Sequence, residues 1–131
     1  VIDMAKLELM KTIETGPDAN RLYLNPGNSR YGLFANEAGK SDIVSIIDTQ
    51  LDVKVKDIWT GLGPHNVAFD PDGKFAVIST KKENVATLVD TGSADPNDWD
   101  VITTDLDSGI QNNGVRWVPS PAALKKALAQ N

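Results

Sequence analysis

The chain contains no cysteine and a single histidine, His65, among its 131 residues. Without cysteine it has no disulfides, no thiol nucleophile, no cysteine-ligated zinc and no covalent haem attachment through a Cys-x-x-Cys-His motif. One imidazole is too few for the multi-histidine clusters that hold zinc or copper, and a Ser-His-Asp triad would have to use His65. Because no nucleophile, base and oxyanion donor can be assembled, the sequence favours a non-catalytic role without a resident cofactor.

Long apolar runs and basic stripes are also missing. No segment approaches the roughly 18 apolar residues that a membrane-spanning helix needs. The net charge is −5 and the 13 Lys and Arg residues are dispersed, which argues against a nucleic-acid surface. With 40% hydrophobic residues the chain can still bury a core, so it is one globular unit or part of one.

The residues between Gly63 and Ile78 predict a β-hairpin, because two apolar runs flank the turn Asp70-Pro71-Asp72-Gly73. Proline pre-sets φ in such a turn, and glycine tolerates the positive φ that closes it. An Asp-x-Asp pattern also occurs in calcium loops, but no third carboxylate precedes Gly73, so a turn is favoured. Four further acidic residues form a second calcium candidate for which a solvated loop is favoured: Asp90, Asp95, Asp98 and Asp100.

The hairpin belongs to a repeat. A short apolar strand ending in aspartate occurs three times, at Asp3, Asp48 and Asp90, with spacings of 45 and 42 residues. A glycine follows each aspartate and a proline closes the next strand, while helical periodicity is absent until the last ten residues. Repeats of about 40–45 residues that contain four strands are typical of β-propeller blades.

The central repeat resembles the YVTN-type β-propeller repeats that also occur in lactonase-like propellers. The resemblance rests on three segments: Ile46-Ile47-Asp48-Thr49, Gly63-Pro64-His65 and Asp70-Pro71-Asp72-Gly73-Lys74. The first repeat is more divergent, with Gly16-Pro17-Asp18 where the second has Gly63-Pro64-His65. The resemblance implies an all-β fold with about three four-stranded antiparallel blades in an incomplete ring. A propeller fold by itself does not imply a function.

The resemblance also implies an order of strands, from inner to outer, within each blade. Applied here, it predicts complete blades from Asn20 to Thr60 and from His65 to Asp105, preceded by the third and outer strands of another blade. Residues 113–118 would be a lone inner strand at the end of a propeller region over residues 1–119, followed by a tail, 120–131, with a helix from Ala122 to Gln130. We therefore expect the C-terminal part of a larger propeller, completed by blades from the same or another chain.

Six apolar residues are predicted to lie buried between blades: Val44, Ile46, Val67, Phe69, Ala76 and Ile78. If the ring of Phe69 is fully enclosed, its replacement by alanine should cost about 3–5 kcal/mol. The three tryptophans, Trp59, Trp99 and Trp117, are predicted to lie in strands and to pack between blades.

His65 is the best single candidate for function, because a loop that leads into an inner strand opens on the channel where propellers bind ligands. Asp18 and Gln111 or Asn112 are assigned the corresponding positions in the neighbouring repeats. With Asn20, Asn66 and Asn113 they predict a polar, mildly acidic channel mouth suited to a small polar ligand, a cation or a basic loop of a partner. The alternative is a turn histidine that only bonds the loop backbone.

The leading hypothesis for function is an extracytoplasmic, non-catalytic propeller that serves as a scaffold or binding surface. The location follows only from the family resemblance, which implies periplasmic or extracellular proteins. The first alternative is part of the propeller of a periplasmic redox enzyme resembling nitrous oxide reductases or cytochrome cd-type nitrite reductases, in which His65 would ligate copper or haem. A lactonase-like hydrolase is a third possibility, disfavoured by the shortage of Arg, His and Glu at the channel mouth.

Overall fold

The computed structural model describes residues 1–37, 40–107 and 114–116, and within them the fold is almost entirely β. One short 3-10 helix spans Pro96–Asp98. The strands are β1 (Ile2–Asp3), β2 (Glu8–Leu9), β3 (Ala19–Leu24), β4 (Tyr31–Asn36), β5 (Ile43–Asp48), β6 (Val53–Trp59), β7 (Pro64–Phe69), β8 (Phe75–Thr80), β9 (Val85–Asp90) and β10 (Asp100–Asp107).

Two four-stranded antiparallel sheets form the body of the structure. Blade I has the strand order β3-β4-β5-β6, blade II has β7-β8-β9-β10, and β1 pairs with β2 in a separate two-stranded sheet. This arrangement confirms the predicted all-β fold and the blade boundaries to within two residues. The described part of the predicted lone inner strand, residues 114–116, is not in a strand, and the rest of that segment and the predicted C-terminal helix lie outside the described residues.

The core lies between the facing surfaces of the two blades. Blade I contributes Tyr31, Leu33, Val44, Ile46 and Ile58, and blade II contributes Val67, Ala76, Ile78, Val89 and Trp99. Five of the six predicted core residues are fully or almost fully buried. Phe69 is the exception: it is only partly buried at the edge of the cluster, because β7 ends there. The condition for a 3–5 kcal/mol loss on replacing Phe69 is therefore not met.

The tryptophans behave differently from one another. Trp99 is 1% exposed, and its ring meets Tyr31 of blade I edge-on with 6.0 Å between the centroids. It packs between blades as predicted, although it directly precedes β10 instead of lying in a strand. Trp59, at the end of the outer strand β6, is 70% exposed, so the prediction of packing is wrong for this residue. Trp117 lies outside the described residues.

The tight turns of the two blades dock on each other. Gly73 has a φ of +69°, and its amide donates to the carbonyl of Asp70 at 3.0 Å, which confirms the predicted turn. The side chain of Asn25 is buried and donates through Nδ2 to the carbonyl of Gly73 at 2.8 Å, while its Oδ1 accepts from the Gly27 amide at 2.8 Å. The side-chain amide of Asn25 thus closes the turn of blade I and hydrogen-bonds to the turn of blade II.

Most carboxylates of the acidic loop accept hydrogen bonds from nearby residues of the same loop. Asp95 caps the 3-10 helix by accepting from the Asn97 amide at 2.9 Å, and Asp90 accepts from the Gly92 amide at 2.9 Å. Asp98 accepts from the hydroxyl of Ser93 at 3.1 Å. These carboxylates act as turn and cap acceptors, in keeping with the loop that the sequence favours.

Candidate functional site

A polar cluster lies where the inner strands of the two blades begin. Asn20 in β3 and His65 in β7 lie side by side, with 3.4 Å between Asn20 Nδ2 and His65 Nδ1. Glu37, which directly follows β4, and Lys81, which directly follows β8, complete the group. We call these four residues, Asn20, Glu37, His65 and Lys81, the rim cluster.

Glu37 connects the members of the rim cluster. Its Oε2 lies 2.9 Å from Nδ1 of His65 and accepts from Nδ2 of Asn20 at 2.5 Å, and its Oε1 lies 2.7 Å from Nζ of Lys81. Two of these partners belong to blade II, so the carboxylate bridges the blades. The side chains of His65 and Glu37 are 18% and 25% exposed, which leaves the group open to a ligand from solvent.

The electrostatic effect of this bridge appears in the pKa of Glu37, which is lowered from its ordinary value of 4.5. The main cause is the hydrogen bond from Lys81; partial burial acts in the opposite direction, and the hydrogen bond from His65 lowers the pKa further. Glu37 is therefore a carboxylate at neutral pH.

Acid should weaken this bridge. Because the folded-state pKa of Glu37 lies below its unfolded value, its stabilising contribution is complete above about pH 4.5 and is lost as the pH falls through the folded-state pKa. We expect the denaturation midpoint of the native chain to exceed that of Glu37→Gln at pH 7 and to approach it as the pH falls below about 4.5. Denaturant melts of both proteins across that range measure the difference. A constant gap between the two proteins would contradict the assignment.

The register corrects one predicted correspondence between the repeats. β3 and β7 coincide when the chain is shifted by 45 residues, so Asn20, and not Asp18, is the counterpart of His65. Asp18 is the counterpart of Gly63, and both have positive φ, 50° and 68°. Aligning Gly16-Pro17-Asp18 with Gly63-Pro64-His65 is wrong by two residues. Asp18 nevertheless borders the same polar region, because its carbonyl accepts from the Glu37 amide at 2.9 Å.

The other predicted site residues do not all reach the rim cluster. Asn66 accepts through Oδ1 from the hydroxyl of Tyr23 at 2.5 Å, so its side chain ties β7 to the inner strand of blade I. It also lies beside the chain that follows β10, since a Cβ built on Gly114 would come within 3.6 Å of Asn66 Nδ2. Asn112, Gln111 and Asn113 lie outside the described residues.

Glu37 and Lys81 are the rim residues that the sequence interpretation missed. Lys81 is counted there only among the dispersed basic residues, yet its Nζ lies 2.7 Å from Oε1 of Glu37. The available signal is positional: each residue directly follows the second strand of its blade, so opposite charges occupy matching places in consecutive repeats. The pairing becomes visible only when the repeats are superposed strand by strand.

A polar cavity of about 300 Å³ adjoins the rim cluster and is lined by Asp18, Ala19, Asn20 and Glu37. Its walls offer carboxylate and amide groups, which can accept hydrogen bonds from an ammonium or guanidinium group or from a polyol. Within residues 1–37, 40–107 and 114–116, no three His, Cys, Asp or Glu side chains are grouped to hold a metal ion.

Comparison with solved structures identifies similar β-propeller proteins. The hydrazine synthase of Kuenenia stuttgartiensis is 16% identical, with a TM-score of 0.64 over 87% of this chain and 29% of that chain. The dihydro-heme d1 dehydrogenase NirN in complex with DHE is 18% identical, with a TM-score of 0.62 over 90% of this chain and 25% of that one. A candidate 6-phosphogluconolactonase from Bacteroides fragilis is 24% identical, with a TM-score of 0.53 over 70% and 27%.

These similarities concern the propeller fold, and the chain spans between 25% and 29% of the length of each of these structures. No protein-family model and no curated protein sequence matches the chain. Among the described residues, no helix has the length and apolar character required to cross a membrane.

Proposed function

We propose that this chain is part of an extracytoplasmic propeller of the YVTN type that acts as a non-catalytic binding scaffold, with the rim cluster as its ligand-binding surface. The main support for this proposal is the contact between Oε2 of Glu37 in blade I and Nδ1 of His65 in blade II, at 2.9 Å, beside the polar cavity. The YVTN assignment and the extracytoplasmic location rest on the sequence resemblance of the central repeat.

The chemistry of the rim cluster favours binding over catalysis. Glu37 holds an imidazole, an amide and an ammonium group at once, so its lone pairs are largely engaged. No serine or threonine hydroxyl contacts His65 among the described residues, so the imidazole has no nucleophile to activate. Asp18 contributes a second carboxylate beside the cavity, which supports a ligand with donor groups: a small polyol, a cation or the basic side chain of a partner.

The single histidine provides a specific test. Because His65 is the only imidazole in the chain, its Hε1 proton gives one histidine signal in an NMR spectrum. We expect this signal to shift on titration with methylguanidinium, a mimic of a basic side chain, or with gluconate, a small polyol. The affinity for the probe that binds, measured by isothermal titration calorimetry because the variant has no histidine signal, should fall at least several-fold in His65→Ala while the melting temperature changes little.

The matched control uses two aspartates with the same backbone conformation. Asp18 and Asp52 have φ values of 50° and 54°, but only Asp18 lines the cavity. Asp18→Asn should weaken binding of the probe, and Asp52→Asn, far away in the β5–β6 turn, should leave it unchanged. No shift of the His65 signal with either probe, or equal effects of the two substitutions, would refute the proposed binding surface.

A redox propeller is the second candidate, and the geometry of His65 favours it. A carboxylate on one imidazole nitrogen is the usual support of a metal-ligating histidine, and Glu37 holds Nδ1 and thereby orients Nε2. One similar structure is a dihydro-heme d1 dehydrogenase in complex with DHE. One imidazole fits a single axial haem ligand, whereas a multi-histidine copper site would need ligands from outside this chain.

Absorption spectroscopy separates the two candidates. If His65 ligates haem, hemin added to the purified chain should give a Soret band that shifts on binding, and this shift should be lost in His65→Ala. Identical spectra of the native chain and His65→Ala would exclude His65 as a haem ligand and leave the binding scaffold.

A further inference from the structure

The two-stranded sheet β1–β2 repeats the outer half of a blade. A shift of 45 residues superposes it on β5–β6 with the same register, because Ile2 pairs with Leu9 as Ile47 pairs with Lys54. Both turns are closed by the same contacts: Asp3 Oδ1 accepts from the amides of residues 5 and 6, and Asp48 Oδ1 accepts from those of residues 50 and 51.

The backbone agrees with this equivalence. Leu7 and Asp52, each four residues after the turn aspartate, have positive φ values of 57° and 54°. A leucine rarely adopts this conformation, so its presence at the matching place indicates the same turn and not a chance pairing. β1 and β2 are therefore the third and fourth strands of a blade that precedes blade I, as the repeat spacing predicts.

Among the described residues no inner or second strand pairs with β1, and an apolar groove lies beside it. β1 pairs only with β2 within the described residues, whereas β5 and β9 each have a second-strand partner on their other edge. Between this hairpin and blade I lies a cavity of about 390 Å³, lined among others by Leu9, Ile13, Leu22, Phe34 and Ile47. Leu9 and Leu22 are 72% and 38% exposed.

We propose that this groove is an interface for one occupant: an antiparallel β-hairpin that supplies the inner and second strands and precedes β1 in the same polypeptide. Three features define the occupant. Its second strand hydrogen-bonds to the free edge of β1, one of its faces carries apolar residues against Leu22 and Phe34, and it connects to β1 as β4 connects to β5. Phe34 and Ile47 alternate along their strands with the core residues Leu33 and Ile46, so the groove lies on the face of blade I that blade II leaves uncovered.

The chain itself provides a probe for the groove. Residues 19–45 contain the inner hairpin of blade I and the first half of its third strand, and residue 46 is the counterpart of Val1. A fusion of residues 19–45 directly ahead of the full chain therefore restores a four-stranded blade in register. The added copy should carry Glu37→Gln, because its carboxylate would otherwise face the native Glu37.

The fusion should raise the melting temperature by roughly 5 °C or more, since it buries the exposed apolar groove. It should also protect Leu9 and Met10 from hydroxyl-radical labelling. Leu22→Lys in native blade I should abolish both effects, whereas Leu51→Lys, at a residue 61% exposed in the β5–β6 turn, should not. Leu22→Lys in the unfused chain should be nearly neutral, which excludes a general folding defect.

Three outcomes would overturn the proposal. The first is an unchanged melting temperature and labelling pattern in the fusion, which would mean that the groove does not accept the hairpin. The second is that Leu22→Lys and Leu51→Lys reduce the increase in melting temperature of the fusion by the same amount. The third is a dimer of the unfused chain with protected Leu9 and Leu22, which would assign the groove to a second copy.

Discussion

Replacing Trp99 by alanine should cost about 3–5 kcal/mol of unfolding free energy, the largest loss that we expect from a single side chain here. The indole is 1% exposed, packs edge-on against Tyr31 of the neighbouring blade and donates from Nε1 to the carbonyl of Ser93 at 2.9 Å. Its removal would open a cavity between the blades and leave the carbonyl of Ser93 without its donor. Denaturant melts measure the loss.

Trp59 provides the matched control for Trp99. It is the same residue type but 70% exposed, so Trp59→Ala should change the unfolding free energy by about 0.5 kcal/mol or less. Similar losses in the two variants would mean that the interface between blades is not where the structure has it. A loss in Trp99→Ala below about 1 kcal/mol would carry the same meaning.

Gly73→Ala should be the second most damaging change, at roughly 2–4 kcal/mol. The residue has a φ of +69°, and a Cβ at this position would lie 1.8 Å from Asn25 Oδ1 and 2.6 Å from the Gly27 amide. Both contacts are too short, so the two docked turns would have to separate. The buried amide of Asn25 would then lose its hydrogen bond to the carbonyl of residue 73.

Gly92→Ala is the control for this prediction. Gly92 has no positive φ, and the nearest atom to a Cβ there is a carboxylate oxygen of Asp90 at 3.3 Å. We expect a change of about 0.5 kcal/mol or less in thermal or denaturant melts. A small effect at Gly73 would contradict the docking of the turns, whereas a large effect only at Gly73 would support it.

Much of the fold could be predicted from sequence because its signals are local. The turn Asp70-Pro71-Asp72-Gly73 and the period-2 strands around it depend on φ preferences and alternation, which neighbouring residues determine. Burial of Phe69 and Trp59 could not be predicted in this way. Both lie at the end of a strand, where exposure depends on what the next element covers and not on residue type.

The candidate site was less predictable, for a related reason. The motif alignment followed the Gly-Pro pairs at Gly16 and Gly63, but the strands superpose two residues away, and this displacement exchanges Asp18 for Asn20. A motif match compares residue types, whereas the site depends on which side chains the sheet places side by side. The ion pair of Glu37 with Lys81 has no local signal at all, because its partners are 44 residues apart.

The contact between Glu37 and Lys81 also affects which blade can follow blade I. If blade I were followed by a second copy of itself, the position of Lys81 would be taken by another glutamate and that of His65 by an asparagine. Two carboxylates would then meet where an ion pair now lies, at a cost in free energy. Opposite charges at this contact therefore favour blade II over a second copy of blade I as the neighbour of blade I.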